Sequence, residues 1–112
     1  MTAKIASKTR VYRDMKKFLN EVIYIIKDFP KEHRYVVGDR IERTAIDSLH
    51  IIARVYMGKD LKMRIADMVE LQSNLELLNT LIEIAGEHQW IKGRGKLANL
   101  LLLMDSVGRQ ST

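Results

Sequence analysis

Phe29-Pro30-Lys31-Glu32-His33-Arg34-Tyr35-Val36-Val37-Gly38-Asp39-Arg40-Ile41-Glu42-Arg43 is the stretch on which the reading of the whole chain turns. It carries the only proline of the 112 residues. Pro30 cannot sit inside a helix, because it lacks an N–H and its ring clashes with the carbonyl four residues back. It also drives Phe29 out of the α region. One amphipathic segment must therefore end near Asp28, and another must begin just past the proline.

Before the corner, residues 9–28 have a helical stripe. Val11, Met15, Phe18, Val22, Ile25 and Phe29 recur at alternating spacings of four and three, and Tyr12, Leu19, Ile23 and Ile26 widen the face. Thr9 or Ser7 can cap the start. This heptad-like spacing predicts packing near +20° against a neighbour. After the corner, a second helix is expected from about Arg34 to Met57, with Val37, Ile41, Ala45, Leu49, Ile52, Val55 and Tyr56 on its stripe. Gly58 is the expected stop and Asp60 the cap of a third helix. So short a link makes the second and third helices antiparallel neighbours.

The third helix is expected from Leu61 to somewhere between Gly86 and Gly93. Leu61, Ile65, Met68, Leu75, Leu78, Ile82 and Ala85 mark one face, and Leu71, Leu77, Leu81 and Ile84 a second. Gly93-Arg94-Gly95 breaks the chain again, and a fourth helix runs from about Lys96 to Val107. Its Leu97, Leu100, Leu101, Leu102, Leu103, Met104 and Val107 leave little polar surface. The predicted fold is all-α, a single domain over residues 1–112 forming an antiparallel up-down-up-down four-helix bundle. In a bundle this small only one side of each helix meets the core. The apolar excess on the third and fourth helices therefore points to a homo-oligomeric interface; the alternative is that Leu102 and Leu103 are simply exposed.

The absence of cysteine excludes disulfides and Cys-based zinc sites. The first residues are basic without the apolar core of a signal peptide. The longest nearly apolar run, Leu97 to Met104, is far below the ~20 residues that cross a bilayer. A soluble, cytoplasmic protein with no membrane association is the expectation.

Net charge is +5, and it is unevenly distributed. Residues 1–17 hold six Lys or Arg against one Asp, whereas residues 61–91 hold two against five Asp or Glu. Folded as an up-down bundle, the chain collects Lys4, Lys8, Arg10, Arg13, Lys16, Lys17, Arg54, Lys59, Lys62, Arg64 and Arg109 at one end. Lys8, Arg10, Arg13, Lys16, Lys17, Arg54, Lys59, Lys62 and Arg64 are the candidate contacts to RNA or DNA phosphates, which would make binding sequence-independent and salt-sensitive. The same residues also read as a solvated face that aids solubility. Few aromatics interleave with them, so base stacking is not indicated.

The histidines are His33, His50 and His88. Asp47 and His50 share a helix face, but a carboxylate-bundle metal site needs a second such pair, and none exists. No metal or cofactor is expected. Arg43, six intervening residues and His50 match the loose signature of HEPN-type helical ribonucleases and toxins, in which such a pair would polarise a phosphate and move a proton. Arg43 also reads as an ordinary solvated position. No Gly-rich phosphate loop or Ser/His/Asp arrangement is present.

The corner carries a resemblance. Phe29-Pro30-Lys31-x-x-Arg34-Tyr35-x-x-Gly38-Asp39-Arg40-Ile41, with Ala45 and Leu49 beyond, is similar to the second-helix signature of the accessory variability determinant-like four-helix family of diversity-generating retroelements. Its looser relatives are four-helix proteins encoded in ribosomal RNA intervening sequences. Val107-Gly108-Arg109 resembles that family's terminal Ile-Gly-Arg element. The resemblance implies a homopentameric barrel with a basic surface. It implies binding to a reverse transcriptase and its template RNA, and support of mutagenic copying into complementary DNA without polymerase activity.

Lys31 and Arg34 are placed at a helix N-terminus, where the dipole disfavours cations. With Arg40 they are the candidate partner contacts; Asp28 and Glu32 are alternative mates. Gly38 costs about 1 kcal/mol against Ala in a helix. Close helix–helix approach would offset that, although a first turn also tolerates glycine.

Overall fold

The computed structural model describes residues 6–58 and 60–111, and every regular element among them is helical. Five α-helices follow in order: α1 (Arg10–Ile26), α2 (Lys31–His33), α3 (Asp39–Met57), α4 (Leu61–Glu87) and α5 (Lys96–Gln110), with a π-helical segment (Arg34–Gly38) between α2 and α3. They form one compact domain of 43 × 22 × 21 Å.

The breaks fall where the sequence puts them. Thr9 caps α1 by accepting the Tyr12 N–H at 3.3 Å, and Asp60 caps α4 by accepting the Lys62 N–H at 2.9 Å. Pro30 ends the first helical stretch and opens the second, where its missing N–H costs nothing. Gly58 terminates α3. Gly93 and Gly95 both take positive φ, 99° and 80°, a region that glycine enters without a Cβ penalty. The end of α4 is less obvious. The Trp90 N–H bonds to the Ala85 carbonyl at 2.9 Å and the Gln89 N–H to that of Gly86 at 3.0 Å, the double bond of a Schellman cap. Gln89, not a glycine, occupies the left-handed position at φ 62°.

The second predicted helix is unbroken from Lys31 to Met57, but it is not α-helical throughout. Its first turns are α2 and then five π-helical residues, in which the Asp39 N–H reaches back to the Arg34 carbonyl. This brings Gly38 against the end of α1. A Cβ on Gly38 would lie 2.8 Å from Ile26 Cγ2 and 3.6 Å from Phe29 Cδ2. Of the two readings of Gly38, close approach is the one observed.

Helix α1 packs on α3 and α5, and α4 packs on the same two. Near its start α1 meets the end of α5, where Asp14 accepts hydrogen bonds from Ser106 and Gln110; near its end it meets the start of α5, where Glu21 accepts from Asn99. Gly86, late in α4, lies against Leu97, early in α5. Between the helices sits one core: Met15, Phe18, Val22 and Ile25 from α1; Ile41, Ala45, Ile51 and Ile52 from α3; Leu71, Leu75, Leu78, Ile82 and Ala85 from α4; and Leu100, Met104 and Val107 from α5. Dense apolar burial of this kind is the main favourable term in folding.

Three expectations need correction. The sequence puts Tyr56, Leu61 and Ile65 on buried stripes, yet all are exposed and line an open apolar cleft between the helix ends. Ile51, Thr44 and Ser48 are buried on α3 instead, and the Ser48 hydroxyl satisfies itself on the Thr44 carbonyl at 2.7 Å. On α5, Leu103 is buried and only Leu102 is strongly exposed.

Candidate nucleic-acid interface

On α1 the cations follow from helical spacing. Arg10, Arg13 and Lys17 lie at i, i+3 and i+7 and therefore share a face. All three are exposed, as are Lys8 and Lys16. Arg10 leans toward Asp14 at 3.7 Å, with its own side chain still 74% exposed, so the pairing is weak and solvent-screened.

An apolar cleft gathers the neighbouring helix ends. Val11, Val55, Arg64, Ser111 and Gln110 line it, so the start of α1, the end of α3, the start of α4 and the end of α5 meet there. Lys62 and Arg64 are exposed on the first turn of α4. Lys4 and Lys59 lie outside the described residues. Arg54 differs from the rest. Its guanidinium donates to Asp67 at 2.9 Å and Glu70 at 3.2 Å, bridging α3 to α4. The hydrogen bond to Asp67, aided by the two nearby carboxylates, raises its already high pKa. Two acids thus offset this cation, and its main local partners are inside the protein.

At the corner end, Lys31 and Arg40 are exposed. Arg34 folds back: its Nη2 donates to the Lys27 carbonyl at 3.0 Å and the Phe29 carbonyl at 3.3 Å. It does not pair with Asp28 or Glu32. It caps the C-terminal end of α1, where the dipole welcomes a cation. At the same corner the Trp90 ring stacks with two imidazoles. His33 stacks on it at 4.6 Å and His88 at 4.9 Å, and Phe29 meets it tilted at 5.4 Å. This cluster ties the corner to the loop after α4. No local pattern links residues so far apart in sequence, so only a contact map would have found it.

Arg43 makes an ion pair with Asp39 at 2.8 Å, one turn earlier on α3. His50 is exposed two turns further on, roughly 10 Å along the axis. Among the described residues no helix is long and apolar enough to cross a membrane.

A family model described as bAvd-like matches residues 6–112. No curated protein and no solved structure matches the chain.

Proposed function

Because the chain belongs to the bAvd-like family, bAvd being the accessory variability determinant of diversity-generating retroelements, we propose that this accessory protein acts without catalysis, binding the element's reverse transcriptase and its template RNA or complementary DNA. The contact surface is the basic one, and the observation that carries it is the exposed row Arg10, Arg13 and Lys17 on α1. Lys8, Lys16, Lys62 and Arg64 extend it. Lys59 belongs to the same proposed surface. Arg54 contributes least to it, being held by Asp67 and Glu70. Lys31, Arg34 and Arg40 are the proposed contacts to the polymerase, with Arg34 acting by shaping the corner.

The helix contacts support an antiparallel up-down-up-down bundle. The exposed Leu61, Met63, Ile65, Val69 and Leu102 support self-association, with a pentamer as the family's expected form. The place of action is the cytoplasm, where template and polymerase are made.

The test is binding of RNA and DNA as a function of salt. Each phosphate neutralised contributes roughly 0.7 to 0.9 to the slope of log affinity against log salt. Replacing Arg10, Arg13 and Lys17 by Gln should weaken binding to all sequences alike and flatten that slope by about 2 to 3 if each contacts a phosphate, with helicity unchanged. Equal affinity and slope in the triple variant would reduce this surface to a solvated face. Metal-independent cleavage of the RNA, lost in His50→Ala, would overturn the non-catalytic assignment.

A further inference from the structure

Tyr24 lies in the last turn of α1, with 64% of its surface exposed. Two ammonium groups approach its ring: Lys27 Nζ at 4.9 Å from the centroid, and Lys96 Nζ, from the start of α5, at 5.6 Å. Among the described residues neither lysine has a carboxylate partner. Two like charges therefore converge on one aromatic ring, whose quadrupole attracts both. Such a pair attracts an anion, and the exposed ring offers a flat apolar surface.

Tyr24 and Lys96 line a cleft of about 300 Å³, together with Asn20, Glu21, Ile25 and Asn99, and Lys27 reaches the same ring from one turn further along the chain. Its one acid, Glu21, has both carboxylate oxygens held by the Asn99 amide, at 2.9 and 2.8 Å. Lys92 and Arg94, both exposed in the loop just before α5, add further positive charge nearby. An aromatic face flanked by cations suits a nucleotide whose base is free to stack, which a base inside a duplex is not.

We propose that this cleft is a second nucleic-acid site, specific for single strands, in which one unpaired base stacks on Tyr24 and the adjoining phosphate lies between Lys27 and Lys96. The site rests on the nucleic-acid reading above, but it is separate from the Arg10–Arg13–Lys17 row. It gives this protein a way to hold an unpaired template or product segment that a purely electrostatic row lacks.

The experiment measures binding of the full chain to one fluorescein-labelled oligonucleotide, presented single-stranded or annealed to its complement. Tyr24→Ala should weaken single-strand binding roughly five- to hundred-fold, the range for losing one stacked base, and leave the duplex unchanged. Tyr24→Phe should retain the affinity, and replacing Lys27 and Lys96 by Gln should lower the salt slope for the single strand alone. Circular dichroism confirms that the exposed substitutions leave the helices intact. Unchanged single-strand affinity in Tyr24→Ala overturns this proposal and leaves the Arg10–Arg13–Lys17 reading standing. So does an equal loss on both forms. Failure of the unaltered protein to bind either form overturns both.

Discussion

Gly38 offers a sharp test of how the corner holds the helices together. Its backbone is ordinary right-handed helix, φ −59° and ψ −46°, so alanine can adopt it without strain. The cost of Gly38→Ala is therefore steric. The new Cβ would sit 2.8 Å from Ile26 Cγ2, whereas carbon atoms rest at about 3.5–4.0 Å. The neighbour must retreat by roughly 0.7 Å or more, and Cγ2 is a β-branched methyl that cannot swing aside alone. Overpacking of this kind costs about 1–3 kcal/mol, and the helix gains about 0.5–1 kcal/mol from replacing glycine, which leaves a net loss centred on about 1 kcal/mol. Gly108 is the internal control: it too is helical, but a Cβ there meets nothing within 4 Å. Gly108→Ala should gain about 0.5–1 kcal/mol. Urea unfolding reads both, since 1 kcal/mol moves the midpoint by roughly 0.3–1 M. In an Ile26→Ala background, which removes the obstructing methyl, Gly38→Ala should turn neutral or stabilising. If Gly38→Ala stabilises the otherwise unaltered protein as much as Gly108→Ala does, the close approach is not what places glycine there.

Gln89→Gly should raise stability by about 0.5–1 kcal/mol in the same assay, because it relieves the left-handed strain at φ 62° at the cost of a freer unfolded chain; a loss would mean that the Gln89 side chain matters more than its backbone. Arg54→Ala should cost under about 1 kcal/mol, since the bridge to Asp67 and Glu70 is partly exposed, and the cost should shrink in high salt. Phe18→Ala, at a fully buried core position, should cost about 3–5 kcal/mol and leave little folded protein on thermal scanning. Leu102→Glu combined with Ile65→Glu should lower the assembly size by light scattering without loss of helicity; an unchanged assembly would move the interface elsewhere.

The breaks between helices were readable in the chain alone, although the cap that ends α4 at Gln89 was not. Pro30, Gly58 and Gly93 act through backbone geometry, which depends on the residue itself and not on what surrounds it. The same holds for the stripe of α1: Val11, Met15, Phe18, Val22 and Ile25 are buried as their spacing predicts, because a period repeated over about four turns is a local property. Tertiary structure decided what spacing cannot carry. Leu61 and Ile65 continue the α4 stripe but are exposed, because burial depends on what packs over a position and not on its spacing alone. Arg54 and Arg13 look alike in sequence, yet one is held by two acids from α4 and the other is solvated. Arg34 stands at the start of one helical stretch but caps the end of another, because the corner at Pro30 folds it back. Tyr24 acquires its second lysine from a residue 72 positions later, Lys96. Each of these depends on distances between segments remote in sequence, which only the folded chain defines.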